Sequence, residues 1–393
     1  MTTQKRDSYS FLLICQTYPP VIGGSELEAQ RVCEALIQRG HRVTVVCAGG
    51  EPMPAVRDWV DPKGVPVRIY AGGWQGATKN VVFAFRVACM LASQRNNYDF
   101  VYFLMQGLHL AVGLPVARLL RKPIVMKIAG SGEVARMNAS VAGRAELKML
   151  RRWAYRVIIL NEGMRDEAIA WGFPAAQLLW MPNPVDIRRF TPVAGAEKLN
   201  LRARLGIPAD SFVVLFVGRL APEKSLPSLL QAFSLVKRKH PSAILALVGD
   251  GPLRESLAKQ VESLGLTSSD IRFAGRVDPD DVCSWLKLSD AFALVSQSEG
   301  LPCSLIEAMS TALPSVVTDI PANKQLVENE KEGLVVPVGN ANAIAAALEW
   351  LIQNPEPRSA MGRLARGKIS ETYSTDHVAD QYEGLFRQLL SRN

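Results

Sequence analysis

The sequence predicts an α/β protein made of two doubly wound domains in tandem. Short apolar, β-branched runs alternate with segments of helical periodicity along the chain, which is typical of parallel sheets covered by helices. The length of 393 residues suits two domains, since one domain usually holds about 100–200 residues. A stretch rich in Pro and polar residues, at 181–200, has no sustained period and separates two such series.

The first series begins with the apolar strand FLLIC at 11–15. A turn rich in Pro and Gly follows, and residues 25–40 then repeat apolar positions at helical spacing. The next strand is HRVTVVCA at 41–48, so these segments form the β-loop-α-β unit that starts a doubly wound sheet. Further buried strands are predicted at 99–105, 122–130 and 156–161.

The second series follows the linker at 181–200. Doubly wound domains bind ligands at the carboxyl ends of their strands, so two in tandem are expected to face each other across a ligand-binding cleft. The predicted strands lie at 211–220, 243–251, 271–277, 291–296 and 314–319.

Composition excludes several classes of protein. No run reaches the roughly 18 apolar residues of a membrane span, and the N-terminal segment is interpreted as a first buried strand instead of a signal peptide. The six cysteines form no C-x-x-C pair and the four His are scattered, which argues against a structural zinc and a disulfide framework. We therefore expect a cytoplasmic protein without a metal site.

The net charge of +8 is unevenly distributed. Thirteen Lys and Arg stand against three acidic residues between Lys79 and Arg156. This stretch is interpreted either as a solvated basic face or as a surface that meets an anionic membrane or acceptor. No nucleic acid partner is expected, because no nucleic-acid-binding fold signature accompanies the charge. The sequence predicts no particular oligomeric state.

The segment from Ser298 to Asp319 carries the most informative pattern. It follows a buried strand and presents Gly300 and Pro302 ahead of a helix-forming run, which predicts a strand-to-helix turn with Pro302 in the first helical turn. The backbone N–H groups at such a helix start bind anions. Glu299 precedes this helix and Glu307 lies in its second turn, about 7–8 Å from the start. The alternative is a capping Glu with an exposed helix Glu.

A second pattern, VGRLAPEK at 217–224, places two cations in a loop after a strand. Arg219 offers a planar fork to phosphate oxygens and Lys224 offers a point charge. Fixed cations of this kind stabilise a departing diphosphate without a divalent ion. The alternative is a surface ion pair between Arg219 and Glu223.

The first domain has a glycine turn of its own. Gly23 and Gly24 stand between the opening strand and helix, which suggests a close backbone approach to a ligand, with Ser25 as the expected N-cap. This turn is not a dinucleotide-binding fingerprint. Neither is VGDGPLRE at 248–255, where Arg254 occupies the place of the third glycine.

Six motifs in order make the chain resemble glycosyltransferase family four, the retaining GT-B enzymes. They span nearly the whole sequence and are PPVIGGSELE, MPNPVDIRRF, VGRLAPEK, VGDGPL, EGLPCSLIE and EAMSTALPSVVTDIP. The resemblance implies an acceptor-binding domain over 1–185, completed by a crossover helix at 373–393, and a nucleotide-sugar-binding domain over 186–372. It also implies retaining transfer of a sugar from a nucleotide-diphosphate sugar, with no cofactor and no metal.

The resemblance assigns roles to residues. Arg219 and Lys224 would hold the diphosphate, Glu299 the donor sugar and Glu307 the ribose. Arg219, Lys224 and Glu299 are the implied catalytic residues. The resemblance also implies donor contacts for Gly23, Gly24, Gly275, Arg276, Val277, Gly300, Leu301 and Pro302. The base contacts near Gly275–Val277 are expected to be made by the backbone.

Several positions depart from the family pattern. Ala129 stands where the family often has a His, Ala312 where it usually has Gly, and Gln325 where it usually has Glu. The acceptor-side candidates are His109, Lys127 and Ser131, although a lone His such as His109 is more often structural. These departures motivate the alternative of a catalytically degenerate, nucleotide-binding scaffold of the same fold.

The acceptor is expected to be a saccharide or a lipid-linked molecule used in cell-surface polysaccharide or glycolipid synthesis. The basic segment 135–156 is interpreted as an amphipathic helix that rests on an anionic bilayer, at the inner face of the cell membrane. The alternative interpretation packs Leu147, Leu150 and Trp153 into the domain core.

Overall fold

The computed structural model describes residues 8–19, 23–49, 57–70 and 76–391. The chain divides into two compact units. The first comprises 1–184 and 375–393, and the second comprises 185–374. The division at Pro184 falls within the Pro-rich stretch 181–200.

The first unit contains an eight-stranded sheet. Its strands are β1 (Ser10–Cys15), β2 (Arg42–Cys47), β3 (Arg57–Val60), β4 (Pro66–Ile69), β5 (Phe100–Leu104), β6 (Ile124–Lys127), β7 (Arg156–Ile159) and β8 (Leu178–Trp180). The strand order is β3-β4-β2-β1-β5-β6-β7-β8, and every pair is parallel except β3 with β4. The helices between them are α1 (Gly24–Gln38), α2 (Gly76–Ser93), α3 (Leu108–Leu119), α4 (Glu133–Asn138), α5 (Val141–Trp153) and α6 (Glu162–Ala170).

The second unit contains a six-stranded, wholly parallel sheet. Its strands are β9 (Phe212–Val217), β10 (Ala243–Val248), β11 (Ile271–Gly275), β12 (Ala291–Leu294), β13 (Ser315–Thr318) and β14 (Gly333–Val336), in the order β11-β10-β9-β12-β13-β14. The helices are α7 (Gly195–Arg204), α8 (Leu226–Lys239), α9 (Arg254–Ser263), α10 (Pro279–Leu288), α11 (Cys303–Ser310), α12 (Pro321–Leu326), α13 (Ala341–Gln353) and α14 (Pro355–Thr372).

The last helix, α15 (Thr375–Leu390), belongs to the first unit and packs against α1. The ring of Phe386 lies 5.3 Å from that of Phe11 and 4.8 Å from that of Phe100. The Tyr382 hydroxyl lies 3.0 Å from the Tyr102 hydroxyl. Aromatic side chains bury about 150–250 Å² each, so this cluster anchors the end of the chain on the first sheet.

The predicted fold class is confirmed, since both sheets are built from β-α-β units. The strand order reverses between β1 and β5 in the first sheet and between β9 and β12 in the second. Ligands of doubly wound sheets bind outside the carboxyl ends of the strands at such switch points. The loops that follow these four strands are therefore where site residues are expected.

Candidate active site

The switch point of the second sheet brings together two of the predicted residues. Lys224 lies after β9 and Glu299 lies after β12, and Nζ of Lys224 is 2.6 Å from Oε1 of Glu299. The hydroxyl of Ser296 donates to the same carboxylate oxygen at 2.6 Å. Both charged side chains are largely shielded from water, which strengthens their attraction relative to a surface pair. The lysine and the serine together fix the orientation of the Glu299 carboxylate.

Arg219 occupies a more open position in the loop after β9. Its side chain is 67% exposed, and its guanidinium forms an ion pair with Oε1 of Glu223 at 2.6 Å. Burial by itself would raise the pKa of the Glu223 carboxyl, but hydrogen bonds from its own backbone and from Arg219 hold that pKa below its usual value. The surface ion pair considered from the sequence is thus present. Exposed pairs contribute about 0–1 kcal/mol, so Arg219 can exchange this partner for a stronger anion.

The turn between β12 and α11 differs by one residue from the prediction. Pro302 is the N-cap residue with extended backbone, and the helix begins at Cys303, because the Pro302 carbonyl already accepts the first helical bonds from Leu305 and Ile306. Glu307 lies in the second turn of α11, as predicted, and is only 7% exposed. The alternative of an exposed helix Glu is therefore wrong. The first N–H groups of an α-helix have no acceptor within the helix, and those of α11 follow the turn that Glu299 begins.

The glycines of the VGDG motif hold two loops together. A Cβ on Gly249 would overlap the carbonyl oxygen of Gly218, and one on Gly251 would overlap backbone atoms of Leu220. The Leu220 N–H donates to the Asp250 carbonyl at 2.9 Å. Because only glycine permits this approach, the motif positions the loop that carries Arg219.

The predicted base-contacting residues lie at the end of β11. Gly275 has a φ of 71°, and its carbonyl accepts a hydrogen bond from the Gly249 N–H at 2.8 Å. Arg276 is exposed, and Val277 lines a cavity of about 540 Å³ at the edge of the sheet. The guanidinium of Arg254 lies 3.8 Å from the centre of the Phe273 ring beside this cavity.

The glycine turn of the first unit is only partly within the described residues, because Pro20, Val21 and Ile22 lie outside them. Helix α1 begins at Gly24 with Gly23 as its N-cap residue, so the prediction of Ser25 as the N-cap is wrong. Gly23 has no side chain with which to cap the helix.

Lys127 is buried at the end of β6, with only 1% of its side chain exposed. Its ammonium group forms an ion pair with Oε1 of Glu28 at 2.8 Å and donates to Oδ1 of Asn183 at 2.9 Å. A buried charge is stable only when it is paired and hydrogen-bonded. In this geometry Lys127 has a structural role. It could contact an acceptor only if its ion pair with Glu28 were broken.

His109 lies in the first turn of α3, beside the switch point of the first sheet. The ring is buried and packs 5.3 Å from the ring of Phe83, and neither ring nitrogen has a hydrogen-bond partner among the described residues. Burial lowers the pKa of His109 to about 4, so the imidazole is neutral near pH 7. A buried polar group without a partner costs about 1–3 kcal/mol, so the position of this imidazole lowers the stability of the fold.

Ser131 and Ala129 lie in the turn after β6. Glu133 accepts hydrogen bonds from the Ala129 N–H at 2.9 Å and the Gly130 N–H at 3.2 Å. Burial raises the pKa of the Glu133 carboxyl despite these bonds. Glu167 accepts from the N–H of Gly132 at 2.9 Å. Two carboxylates therefore shape the turn that displays Ser131.

Sequence reasoning missed Ser296, Glu133 and Glu167. Ser296 stands three residues before Glu299, and Glu133 four residues after Ala129, so both spacings were visible. Nothing in the sequence pairs Glu167 with a turn some 35 residues away. The short spacing along the chain could have identified Ser296 and Glu133. Glu167 reaches its turn only through tertiary packing.

Two departures from the family pattern have visible structural effects. Ala312 follows α11 with a φ of 59°, a left-handed conformation in which glycine is usual. The side chain of Gln325, in α12, is hydrogen-bonded to the hydroxyl of Tyr373.

The basic segment 135–156 forms two helices, α4 and α5, instead of one. Ser140 ends the break between them, and its hydroxyl accepts from the Gly143 N–H at 3.0 Å. Leu147 and Leu150 are buried in the unit and Trp153 is only partly buried, so the core-packing interpretation holds for the two leucines. Within the described residues, no helix is long and apolar enough to cross a membrane, and no three His, Cys, Asp or Glu residues are grouped as metal ligands.

Comparison with known protein families gives two matches. The model of glycosyl transferases group 1 matches residues 197–368, and that of the glycosyl transferase 4-like domain matches residues 23–184. The two matches fall on the second and the first unit, respectively.

Known relatives cover much or nearly all of the chain. The alpha-D-kanosaminyltransferase of Streptomyces kanamyceticus is 27% identical over 283 residues, which cover 70% of this chain and 72% of the relative. The GDP-mannose-dependent alpha-(1-6)-phosphatidylinositol monomannoside mannosyltransferase of Mycobacterium tuberculosis is 27% identical over 388 residues, which cover 96% of this chain and 97% of the relative. The structure of Anabaena HepE in complex with UDP-glucose is similar in fold, with a TM-score of 0.81, 20% identity, and coverage of 97% of this chain and 100% of that one.

The fold and these matches define a transferase of the GT-B class, with two Rossmann-like units. The chain belongs to the group 1 glycosyl transferases of glycosyltransferase family four, and it is a glycosyltransferase that uses a nucleotide sugar. The resemblance expected from the six sequence motifs is confirmed.

Proposed function

We propose that the chain is a retaining glycosyltransferase that moves a sugar from a nucleotide-diphosphate sugar to a saccharide or lipid-linked acceptor, without a catalytic metal. The observation that supports this proposal most strongly is the contact of Lys224 with Glu299 at the switch point of the second sheet. The relative from Mycobacterium tuberculosis supports a lipid acceptor, because its name specifies a phosphatidylinositol mannoside. The pathway proposed is cell-surface polysaccharide or glycolipid synthesis.

The second unit binds the donor in this proposal. Lys224 and Arg219 hold the diphosphate, Glu299 accepts hydrogen bonds from the sugar, and Glu307 accepts them from the ribose. The N–H groups at the start of α11 add a partial positive charge that favours the phosphate oxygens. Lys224, Arg219 and these N–H groups favour the diphosphate as its negative charge grows, so they stabilise the transition state more than the ground state.

The first unit binds the acceptor. The bond between the anomeric carbon and the diphosphate oxygen breaks, and the acceptor oxygen bonds to the same face of the sugar. The acceptor proton passes to an oxygen of the departing diphosphate, so no protein base is required. His109 and Ser131, at the ends of β5 and β6, are the acceptor-side candidates that this geometry supports.

The first experiment is thermal unfolding with UDP, GDP, ADP and CMP, each with and without EDTA. Saturation at a hundred times Kd adds about 2.7 kcal/mol, or a rise of some 5–10 °C for a unit of this size. A shift with one nucleotide diphosphate that survives EDTA supports donor binding without a metal. No shift with any nucleotide counts against the proposal.

The second experiment replaces the cation at the switch point. Lys224→Ala should lower the rate of transfer or donor hydrolysis by about 10²–10³. Lys259→Ala, an exposed lysine of α9 that the proposal does not use, is the matched control. If Lys224→Ala and Lys259→Ala turn over equally, the site assignment is wrong. A wild-type chain that binds nucleotide yet releases none from any donor is the scaffold that Ala129, Ala312 and Gln325 motivate.

A further inference from the structure

The cavity of about 540 Å³ in the second unit lies beside β11, the outermost strand of the sheet. The crossovers that contain α8 and α9 advance from β9 towards β11, and the crossover that contains α10 returns from β11 to β12. Right-handed crossovers therefore place α9 and α10 on opposite faces of the sheet. Residues of β11, α9, α10 and the end of α7 line the cavity, so it has walls from both helix layers. We call it the edge cavity.

Three arginines line the edge cavity. They are Arg204 at the end of α7, Arg254 at the start of α9 and Arg272 in β11. None of them forms an ion pair with a residue that the structure describes, and Arg204 donates to the neutral hydroxyl of Ser284 at 3.1 Å. One acid, Asp281, also lines the cavity, from an exposed position one turn before Ser284 in α10. The edge cavity therefore has more positive than negative charge.

Arg204 and Arg272 lie at the same end of the edge cavity. Nη2 of Arg272 lies 3.9 Å from the place that a Cβ on Gly206 would occupy, two residues after Arg204. Charged side chains on edge strands prevent unwanted pairing, which accounts for Arg272 but not for Arg204. Guanidinium groups bind phosphate oxygens through pairs of parallel hydrogen bonds. Two of them without carboxylate partners therefore form a site for a phosphate group.

The rest of the edge cavity is largely apolar. The guanidinium of Arg254 lies 3.8 Å from the centre of the Phe273 ring, and this stacked pair forms one wall. Ile271 and Trp285 are 2% and 4% exposed and contribute buried apolar surface. Sites of about 300–1,000 Å³ hold small molecules, so the volume of the edge cavity suits one. A fitting ligand combines an anionic group with a compact apolar body.

We propose that the edge cavity binds a small molecule that carries a phosphate monoester on a compact ring. The phosphate has up to two negative charges, which match the guanidinium groups of Arg204 and Arg272. The ring lies against the apolar surface of Phe273 and Trp285.

The edge cavity is distinct from the proposed donor site. Lys224 and Glu299 follow β9 and β12, at the carboxyl ends of these strands. Strand β10 separates β11 from β9, and neighbouring strands lie about 4.8 Å apart. Arg272 lies near the amino end of β11, whereas the predicted base contacts at Gly275–Val277 lie at its carboxyl end. The inference therefore goes beyond the proposed function and does not rest on it.

Titration calorimetry of the full chain with phenyl phosphate tests the proposal, because this probe joins a phosphate monoester to a flat ring. The wild type should bind one equivalent. Inorganic phosphate lacks the apolar contact and benzoate lacks the second negative charge, so each should bind at least tenfold more weakly. A saturating nucleotide diphosphate should leave the affinity for phenyl phosphate unchanged.

A pair of variants tests the two arginines. Arg204→Gln with Arg272→Gln should lower the affinity for phenyl phosphate about 100-fold, since each lost charged hydrogen bond weakens binding about tenfold. Both side chains are exposed, so this variant should fold, which its melting temperature checks. The matched control is Arg238→Gln with Lys259→Gln, which removes the same charge from exposed positions of the second unit and should leave binding unchanged.

The inference is overturned if phenyl phosphate does not bind, or if the Arg204 and Arg272 variant binds it like the control. It is also overturned if a nucleotide diphosphate displaces phenyl phosphate and Lys224→Ala weakens its binding, because the probe then occupies the donor site. An affinity for inorganic phosphate or benzoate equal to that for phenyl phosphate overturns the assigned class of ligand. Binding of phenyl phosphate without any response to nucleotides would sink the proposed function and leave this inference standing.

Discussion

The second residue after α11, Ala312, offers a test of how backbone conformation limits the stability of the second unit. Ala312 has a φ of 59°, in the left-handed region. Its N–H donates to the Met309 carbonyl at 3.0 Å, and the Leu313 N–H donates to the Ala308 carbonyl at 3.1 Å. Helices that end in this way usually have Gly at this position, because a Cβ is strained there. We therefore predict that Ala312→Gly stabilises the second unit.

The magnitude follows from two opposing effects. The left-handed conformation costs a residue with a Cβ about 1–2 kcal/mol. Glycine removes that cost but adds about 0.4–1 kcal/mol of entropy to the unfolded chain. The net gain is about 0.5–1 kcal/mol, which corresponds to a rise in melting temperature of about 1–4 °C for a unit of this size.

Scanning calorimetry of the full chain measures this change. The control is Ala346→Gly, which removes an exposed methyl group from the interior of α13 and should lower stability by about 1 kcal/mol. Both substitutions delete the same methyl group, so opposite signs isolate the effect of the backbone conformation. An Ala312→Gly chain that melts at or below the wild-type temperature would refute the argument.

Three further predictions concern polar groups. Ser296→Ala should lower turnover about 10- to 150-fold, because Glu299 loses a hydrogen bond worth about 1.5–3 kcal/mol, while nucleotide binding stays unchanged in calorimetric titration. The pKa of His109 is about 4 in the folded chain and near 6.5 in the unfolded chain, so the unfolded chain binds the proton first as the pH drops. The free energy of unfolding should therefore fall by about 3 kcal/mol between pH 6.5 and pH 4. His109→Leu should flatten this part of the profile in urea titrations at several pH values, and an unchanged slope would contradict the burial argument. Lys127→Met should cost about 3–5 kcal/mol because Glu28 is left buried and unpaired, and adding Glu28→Leu should recover most of that loss. A double variant no more stable than the single one would show that the pair is not the cause.

Much of the fold follows from local patterns. The ten predicted strands all appear, because buried parallel strands are continuous apolar runs that differ clearly from helical spacing. The strands β3, β4, β8 and β14 were not predicted. Each is short, and β3 (RDWV) and β4 (PVRI) are not the continuous apolar runs by which the other strands were recognised.

The candidate site was less completely predictable. Lys224, Glu299 and Glu307 stand in motifs whose spacing implies a function, and the structure brings the first two into contact. The starts of α1 and α11 were misplaced by one or two residues, because Gly23 and Pro302 supply extended N-cap backbones that the sequence does not distinguish from a first helical turn. These errors leave the order of the motifs unchanged.

The sequence by itself determined most of the succession of strands and helices, the two-unit plan and the membership of a glycosyltransferase family. Such properties depend on short-range periodicity and on motifs whose residues are close in the chain. The tertiary structure decided that Lys224 meets Glu299, that Lys127 is buried against Glu28, and that Phe85 remains exposed. These outcomes depend on which faces the helices turn toward their sheets, and packing between distant segments sets that choice.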